Sequence, residues 1–289
     1  MFVLDESYDV LLTFSPMDEV SGHWFEMFEY YAYLKEHGFR PFMLFLSPMK
    51  KEIIRKTLED KYNYPLADFD CIFNEKIIAC PRAVCIVCDG NFSSIQQKSI
   101  NIISRKTLGF GCGYVEYPGR NITYLLDTRI YGKVPYGVHY TKKIFADIIK
   151  VPEKCNENIG LFYLKRICRK VEKSFIAEAI ADLKQFDRFV IMSHHLEDYS
   201  GISQKIDLVN IPCQNFFENF SAYIYTPVPR KFDCSPRLIA ECNLFGREVI
   251  YYKIDYTDEG LETRKKDIED GSCWMRENDQ IIEIIRKFL

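Results

Sequence analysis

The chain has 289 residues, 47% of them hydrophobic and 27% charged, with a net charge of −3. That length and apolar share are enough to fill two α/β cores, and they exclude an intrinsically disordered chain. No apolar run approaches the roughly 18 residues that cross a bilayer, and the opening MFVLDESYDVLLTF carries acids where a secretion signal carries bases, so a cytoplasmic protein with no membrane partner is expected.

The first elements read as strand, helix, strand. Val10–Phe14 is a short apolar strand, and Ser15 to Gly22 is a polar loop. His23 to His37 has aromatic and apolar residues at helical spacing and is closed by Gly38. Pro41 to Leu46 is the next strand, which makes a βαβ unit with parallel strands and a right-handed crossover. Further strands are expected at Asp70–Phe73, Ala83–Cys88 and Ile122–Leu126, with a helix from Ser93 to Arg105 between the last two. Cys85 and Cys88 form a CxxC, but no second pair follows at metal spacing and both lie in an apolar strand, so buried thiols are expected and no metal site.

The polar stretch PEKCNEN, Pro152 to Asn158, breaks this pattern and is taken as the boundary between domains 1–155 and 156–289. The pattern then restarts. Strands are expected at Ile159–Leu164, Arg188–Met192, Ile206–Ile211, Tyr223–Thr226 and Glu248–Ile254. Helices are expected at Lys173–Phe186, Pro236–Phe245 and Asp279–Phe288. Two successive α/β halves form two Rossmann-like domains with a cleft between them, and open parallel sheets bind ligands at the carboxyl ends of their strands.

The stretch from Tyr223 to Tyr252 carries the most chemistry. Ser235 is a helix N-cap and Pro236 suits the first helical position, so free backbone amides and a positive dipole end are available to a phosphate. Arg237 adds a charged fork in the first turn, and Glu241 follows one turn later on the same face, where a carboxylate can accept both hydroxyls of a ribose. The same i, i+4 spacing also suits a solvent-facing ion pair. Gly246 then stops the helix ahead of an apolar strand.

The segment ECNLFGREVI, Glu241 to Ile250, resembles the part of GT-B glycosyltransferases in which a helix carrying a ribose-binding Glu ends at Gly and enters a strand. The resemblance implies a GT-B fold, a nucleotide-sugar donor held by the C-terminal domain, Glu241 on the ribose, and Ser235 and Arg237 near the diphosphate. Gly160–Arg166 is a strand followed by bases, similar to the strand and basic loop that grip the donor in the hydroxymethylcytosine DNA glucosyltransferases of tailed phages. On that likeness Lys165, Arg166 and Arg169 are diphosphate ligands, although the glycine-rich turn of that family is missing here. Ser193 and His194 follow the next strand and would face the donor, and Val209, Asn210 and Ile211 would hold the base through backbone groups.

An inverting transfer needs a base beside the acceptor hydroxyl. Asp18, Asp89 and Asp127 each follow an expected strand, and Asp127 in YLLDTRIY resembles the strand-Asp-x-Arg element of the phage enzymes. His23 is a fourth candidate, and each of the four is equally a loop or capping residue. No DxD stands beside a strand, and no P-loop, GxGxxG or GxSxG occurs. The resemblance therefore implies a metal-independent enzyme with no essential cofactor and a UDP-sugar as co-substrate.

The acceptor is read from charge. Between Asn91 and Phe175 there are 15 Lys/Arg against 6 Asp/Glu, a local excess of 9 positive charges that leaves −12 for the rest. A basic middle between acidic ends suits a polyanion, and a solvated basic face is the plainer alternative. The expected acceptor is 5-hydroxymethylcytosine in double-stranded phage DNA, handled by a monomer. A cell-envelope glycan, or a non-catalytic nucleotide- or nucleic-acid-binding role on the same fold, are the alternatives.

Overall fold

The computed structural model describes residues 1–14, 22–46, 49–62, 69–88, 101–110, 122–125, 152–164, 171–211, 213, 215–226, 237–254 and 279–289. Every strand pairing among them is parallel. Parallel sheets are buried on both faces, which accounts for strands that read as unbroken apolar runs.

The first sheet has seven strands: β1 (Phe2–Val3), β2 (Val10–Phe14), β3 (Pro41–Phe45), β4 (Cys71–Phe73), β5 (Ile77–Cys88), β6 (Asn101–Phe110) and β7 (Ile122–Leu125). Their order is β4-β3-β2-β5-β6-β7, with β1 beside β5. β1 pairs with Ile78 and Ala79 of β5, whereas β2 pairs with Val84–Val87, so two short strands share one long edge. β5 changes register against β6 between Cys80 and Val84. Pro81 lies in that bulge, where a residue without an N–H costs the ladder nothing. This is why the strand runs from Ile77 although its sequence reads as a strand only from Ala83.

α1 (Gly22–Glu36) packs Trp24 and Phe28 against Phe14 and Phe45. Phe69 and Phe73 complete this aromatic cluster. The other core of this sheet joins Leu4, Leu11, Leu44, Ile78, Cys80, Cys85 and Val87. Burial pushes the Cys80 thiol up to about 12 and the Cys85 thiol well above its ordinary value, so both stay protonated as apolar filler. α2 (Lys51–Tyr62) is a helix that the sequence reading did not anticipate.

One expectation is overturned here. The proposed helix Ser93–Arg105 does not exist over its last five residues, because Asn101–Phe110 is β6. Its run of Ile102, Ile103 and Thr107 suits a pleated surface, and pairing with β5 on one side and β7 on the other outweighs local helix preference. Residues 93–100 lie outside the described residues.

The second sheet has five strands: β8 (Ile159–Tyr163), β9 (Arg188–Ser193), β10 (Ile206–Asn210), β11 (Ala222–Tyr225) and β12 (Glu248–Tyr251). Their order is β10-β9-β8-β11-β12, the doubly wound arrangement in which the chain starts at the centre and winds outward in both directions. α3 (Lys173–Asp182) covers one face with Phe175, Ile176 and Ala179, and it ends four residues before the expected Phe186. α4 (Arg237–Leu244) connects β11 to β12 and closes at Gly246, whose φ of +63° suits a residue with no Cβ.

The chain divides into two units. One holds Met1–Arg55, Leu66–Ile148 and Cys273–Leu289, and the other holds Lys56–Pro65 and Ile149–Ser272. The final helix α5 (Asp279–Phe288) therefore belongs to the first unit, although the expected boundary assigned it to the second. It buries Ile281, Ile282, Ile284 and Ile285, while Arg286 lies over the Phe39 ring and Lys106 over the ring of Phe288. Among the described residues no helix is long and apolar enough to cross a membrane.

Candidate functional site

In the second sheet the strand order turns round between β8 and β11, which leave the sheet in opposite directions of winding. Ligands of open parallel sheets bind outside the carboxyl ends of the strands at such a point. The described residues at those ends, and at the neighbouring end of β9, make up the candidate site.

β8 ends at Tyr163, yet Leu164 remains tied to β9 by two bonds. Its N–H donates to the Met192 carbonyl at 2.9 Å. Its carbonyl accepts the Ser193 hydroxyl at 2.9 Å. The Ser193 oxygen in turn accepts the backbone N–H of His195 at 3.0 Å. Ser193 is fully buried, and both of these hydrogen bonds are to backbone groups of the protein.

After Ser193 the chain makes a short 3₁₀ turn, Leu196–Tyr199, anchored by the buried Tyr199 ring. His195 is about one-third exposed, and its Nδ1 lies 3.7 Å from a carboxylate oxygen of Glu197. His194 is half-buried. Further along the edge, β10 ends at Asn210, with Ile211 half-buried beyond it, and the Cys213 thiol reaches the Met192 sulfur at 3.7 Å.

α4 is described from Arg237, and Ser235 and Pro236 of the expected cap lie outside the described residues. Leu238, Ile239 and Cys242 are buried. Glu241 is also closed to solvent, the sole acid so placed among the described residues. A carboxylate withdrawn from water is costly unless its surroundings compensate. A nucleotide that used it would have to uncover it first.

The other expected residues divide simply. Asp18, Asp89, Asp127, Lys165, Arg166, Arg169 and Ser235 lie outside the described residues. His23 sits in α1 and Arg237 at the start of α4, but their side chains are outside the described set as well.

Two polar features escaped the sequence reading. Arg247, which is buried, donates to the backbone carbonyls of Phe217 at 2.9 Å, Phe245 at 3.1 Å and Glu153 at 2.5 Å. It fastens the segment that enters the second unit to that unit's own loops. Tyr252 donates to Asp182 at 2.6 Å, and Lys253 reaches Glu178 at 2.6 Å and Asp182 at 3.5 Å. The Tyr252 bond is the main cause that lowers the Asp182 pKa, followed by Lys253. The bond from α3 to the residue after β12 spans 70 positions, which no local pattern reveals.

No family model matches the chain, and no curated protein matches it. Among solved structures, a glycosyltransferase from Rickettsia africae aligns over 98% of this chain and 99% of its own, at 13% identity with a TM-score of 0.50. A glycosyl transferase family 9 protein from Veillonella parvula aligns over 100% and 99% respectively, at 10% identity with a TM-score of 0.44. The first of these shares the fold of the whole chain.

Proposed function

We propose that the protein is a glycosyltransferase whose second unit binds a nucleoside diphosphate sugar, UDP-linked in the first instance, at the carboxyl ends of β8, β9 and β11. The single observation that supports the reading is the strand order β10-β9-β8-β11-β12. It makes β8 and β11 adjacent central strands, and these lead in sequence to the basic segment with Lys165, Arg166 and Arg169 and to the segment with Ser235, Arg237 and Glu241. A group of bases and the start of a helix thus follow two adjacent strands in the sequence, a pattern that suits two linked phosphates. The fold shared with the Rickettsia africae glycosyltransferase agrees with this. A dehydrogenase is disfavoured because Leu164-Lys165-Arg166-Ile167 replaces the glycine-rich turn that a dinucleotide requires after this strand.

In this reading Glu241 binds the ribose, Ser235 and Arg237 bind the diphosphate, and no metal or other cofactor is needed. Asp127 is the base that takes the acceptor proton, with Asp18 and Asp89 as the other candidates. The acceptor is a hydroxyl on a polyanion. The excess of 9 positive charges between Asn91 and Phe175 supports 5-hydroxymethylcytosine in duplex DNA.

The test is transfer. The protein is incubated with a panel of nucleotide sugars and with hydroxymethylated or plain duplex DNA, and the digested nucleosides are weighed by mass spectrometry. A hexose mass on hydroxymethylcytosine is the expected result. Donor hydrolysis without a DNA product removes the DNA acceptor but keeps the transferase, and donor inertness with nucleotide binding leaves a binding protein. On the donor side, Glu241→Gln should weaken UDP about tenfold, since it keeps the shape and removes the charge that accepts the ribose hydroxyls. Unchanged UDP affinity by calorimetry takes Glu241 out of the site.

A further inference from the structure

We infer that the first unit carries a self-complementary face through which two copies of the chain pair, in place of the monomer expected from the sequence. The inference is independent of the nucleotide-sugar reading above.

The sheet of this unit has a ledge where β1, β5 and β6 lie side by side before the bulge. Phe2, Ile78 and Ile102 share one rung of it, and Val3, Ala79 and Ile103 share the next. Side chains on one rung of a sheet point to one face, and successive rungs point to opposite faces. The Phe2 rung faces inward, where Ile78 is fully buried and Phe2 and Ile102 pack on the core around Leu11 and Leu44. The Val3 rung faces out. Val3 is 62% exposed and Ile103 50%, with half-buried Ala79 between them. Neighbouring strands lie about 4.8 Å apart, so these three form one apolar row rather than scattered residues. Parallel sheets are ordinarily covered on both faces, and this row is open.

The flanking charges say what covers it. The Leu4 N–H donates to the Ala79 carbonyl at 2.9 Å, which keeps the chain on β5 up to Asp5. Asp5, one of whose oxygens accepts the Ser7 N–H at 2.8 Å, lies two residues beyond Val3. Arg105 lies two residues beyond Ile103, and both charges are exposed. The acid is therefore on the β1 flank and the base on the β6 flank, at about the same height along the strands. A two-fold axis along β5, midway between two such ledges laid face to face, exchanges the flanks. It sets Val3 of each copy against Ile103 of the other, and Asp5 of each against Arg105 of the other. Every contact is then made twice, and opposite charges meet beside the apolar row. A lipid surface finds no such match. Anionic headgroups that attract Arg105 would repel Asp5, and the nearby Arg82 is paired with Glu6 at 3.0 Å.

Sedimentation equilibrium on the full chain tests the pairing. The wild type should dimerise with a Kd of about 10 μM or tighter. Ile103→Asp should weaken the dimer at least about tenfold, because each copy would bury an unpaired charge. Val3→Asp should do the same, and it stands in if Ile103→Asp does not fold. Ile53→Asp puts that charge at a residue of α2 that is also 51% exposed, and should leave the constant within about twofold. Arg105→Asp alone should weaken the dimer about fivefold, and adding Asp5→Arg should restore most of the loss. A wild type that is monomeric at about 100 μM overturns the inference. A dimer that survives both Ile103→Asp and Val3→Asp overturns it too, as does one that Ile53→Asp dissociates equally well. Failure of the charge exchange to restore pairing overturns the two-fold arrangement. A monomer that floats with phosphatidylglycerol vesicles, and no longer does so as Ile103→Asp, shows that the row docks on lipid and that the pairing is wrong.

Discussion

The two sheets bury polar groups differently. Among the described residues four polar or charged side chains are buried, and the first unit holds one of them, Thr13, while the second holds Ser193, Glu241 and Arg247. Thr13 lies inside a strand, and its hydroxyl donates to Ile86 of the neighbouring strand at 3.2 Å, within a ladder that already pairs those strands residue by residue. Ser193 lies at the end of β9 and bonds to a residue beyond the end of β8. A hydroxyl within a ladder adds little order to what backbone bonds already hold. A hydroxyl at a strand exit holds the turn that follows it, as Ser193 holds His195. The difference teaches where to look for function: the second unit spends its buried polar groups on loops and on the helix that follows a central strand, whereas the first relies on packed rings such as Phe14, Trp24 and Phe45.

The comparison breaks most readily at Arg247. Arg247→Ala strips three backbone carbonyls of their donor, and leaving the two buried ones, of Phe217 and Phe245, unsatisfied costs about 2 kcal/mol or more in total. The urea midpoint of the second unit should fall clearly while the first unit's Trp24 environment persists to its usual denaturant concentration. Simultaneous loss of both units would show that Arg247 supports more than its own unit.

A smaller effect is expected at Thr13. Thr13→Val keeps the shape and removes one hydroxyl, at about 1 kcal/mol, and nucleotide affinity should not change. A loss of nucleotide affinity would erase the distinction between a ladder hydroxyl and an exit hydroxyl.

The smallest effect concerns acid. Asp182 is lowered below its ordinary value of 3.8, first by the Tyr252 hydroxyl and then by Lys253. A carboxyl lowered in the folded state contributes stability that is present above its unfolded value and is lost as pH falls through the folded one. Tyr252→Phe should therefore lower stability slightly at neutral pH and flatten its fall below 3.8, both effects being small because the carboxylate is exposed and screened. An unaltered acid profile would show that Lys253 alone holds Asp182.

Much of the element order was legible. β2 was read with its exact ends, because a strand buried on both faces is an uninterrupted apolar run bounded by polar residues. α5 was read with its exact ends too, since Ile281, Ile282, Ile284 and Ile285 repeat at helical spacing. The stop of α4 at Gly246 followed from local capping chemistry. The reading failed where partners decide. β6 was taken for a helix because its character depends on β5 and β7, and β5 was cut short because Pro81 signals a break unless a bulge absorbs it.

The sequence by itself determined the alternation of strands and helices, the polar stretch near residues 152–158, and the residue types fit for phosphate and ribose. These are properties of neighbours along the chain, carried by periodicity and by caps a few residues long. Only the tertiary structure decided the order β10-β9-β8-β11-β12, the return of α5 to the first unit, the closing of Glu241 from solvent, and the use of Ser193 as a tie. The physical reason is distance along the chain. Ser193 and Leu164 are 29 residues apart, and Arg247 and Glu153 are 94 apart. Hydrogen bonds between such positions exist only after the strands have chosen their neighbours.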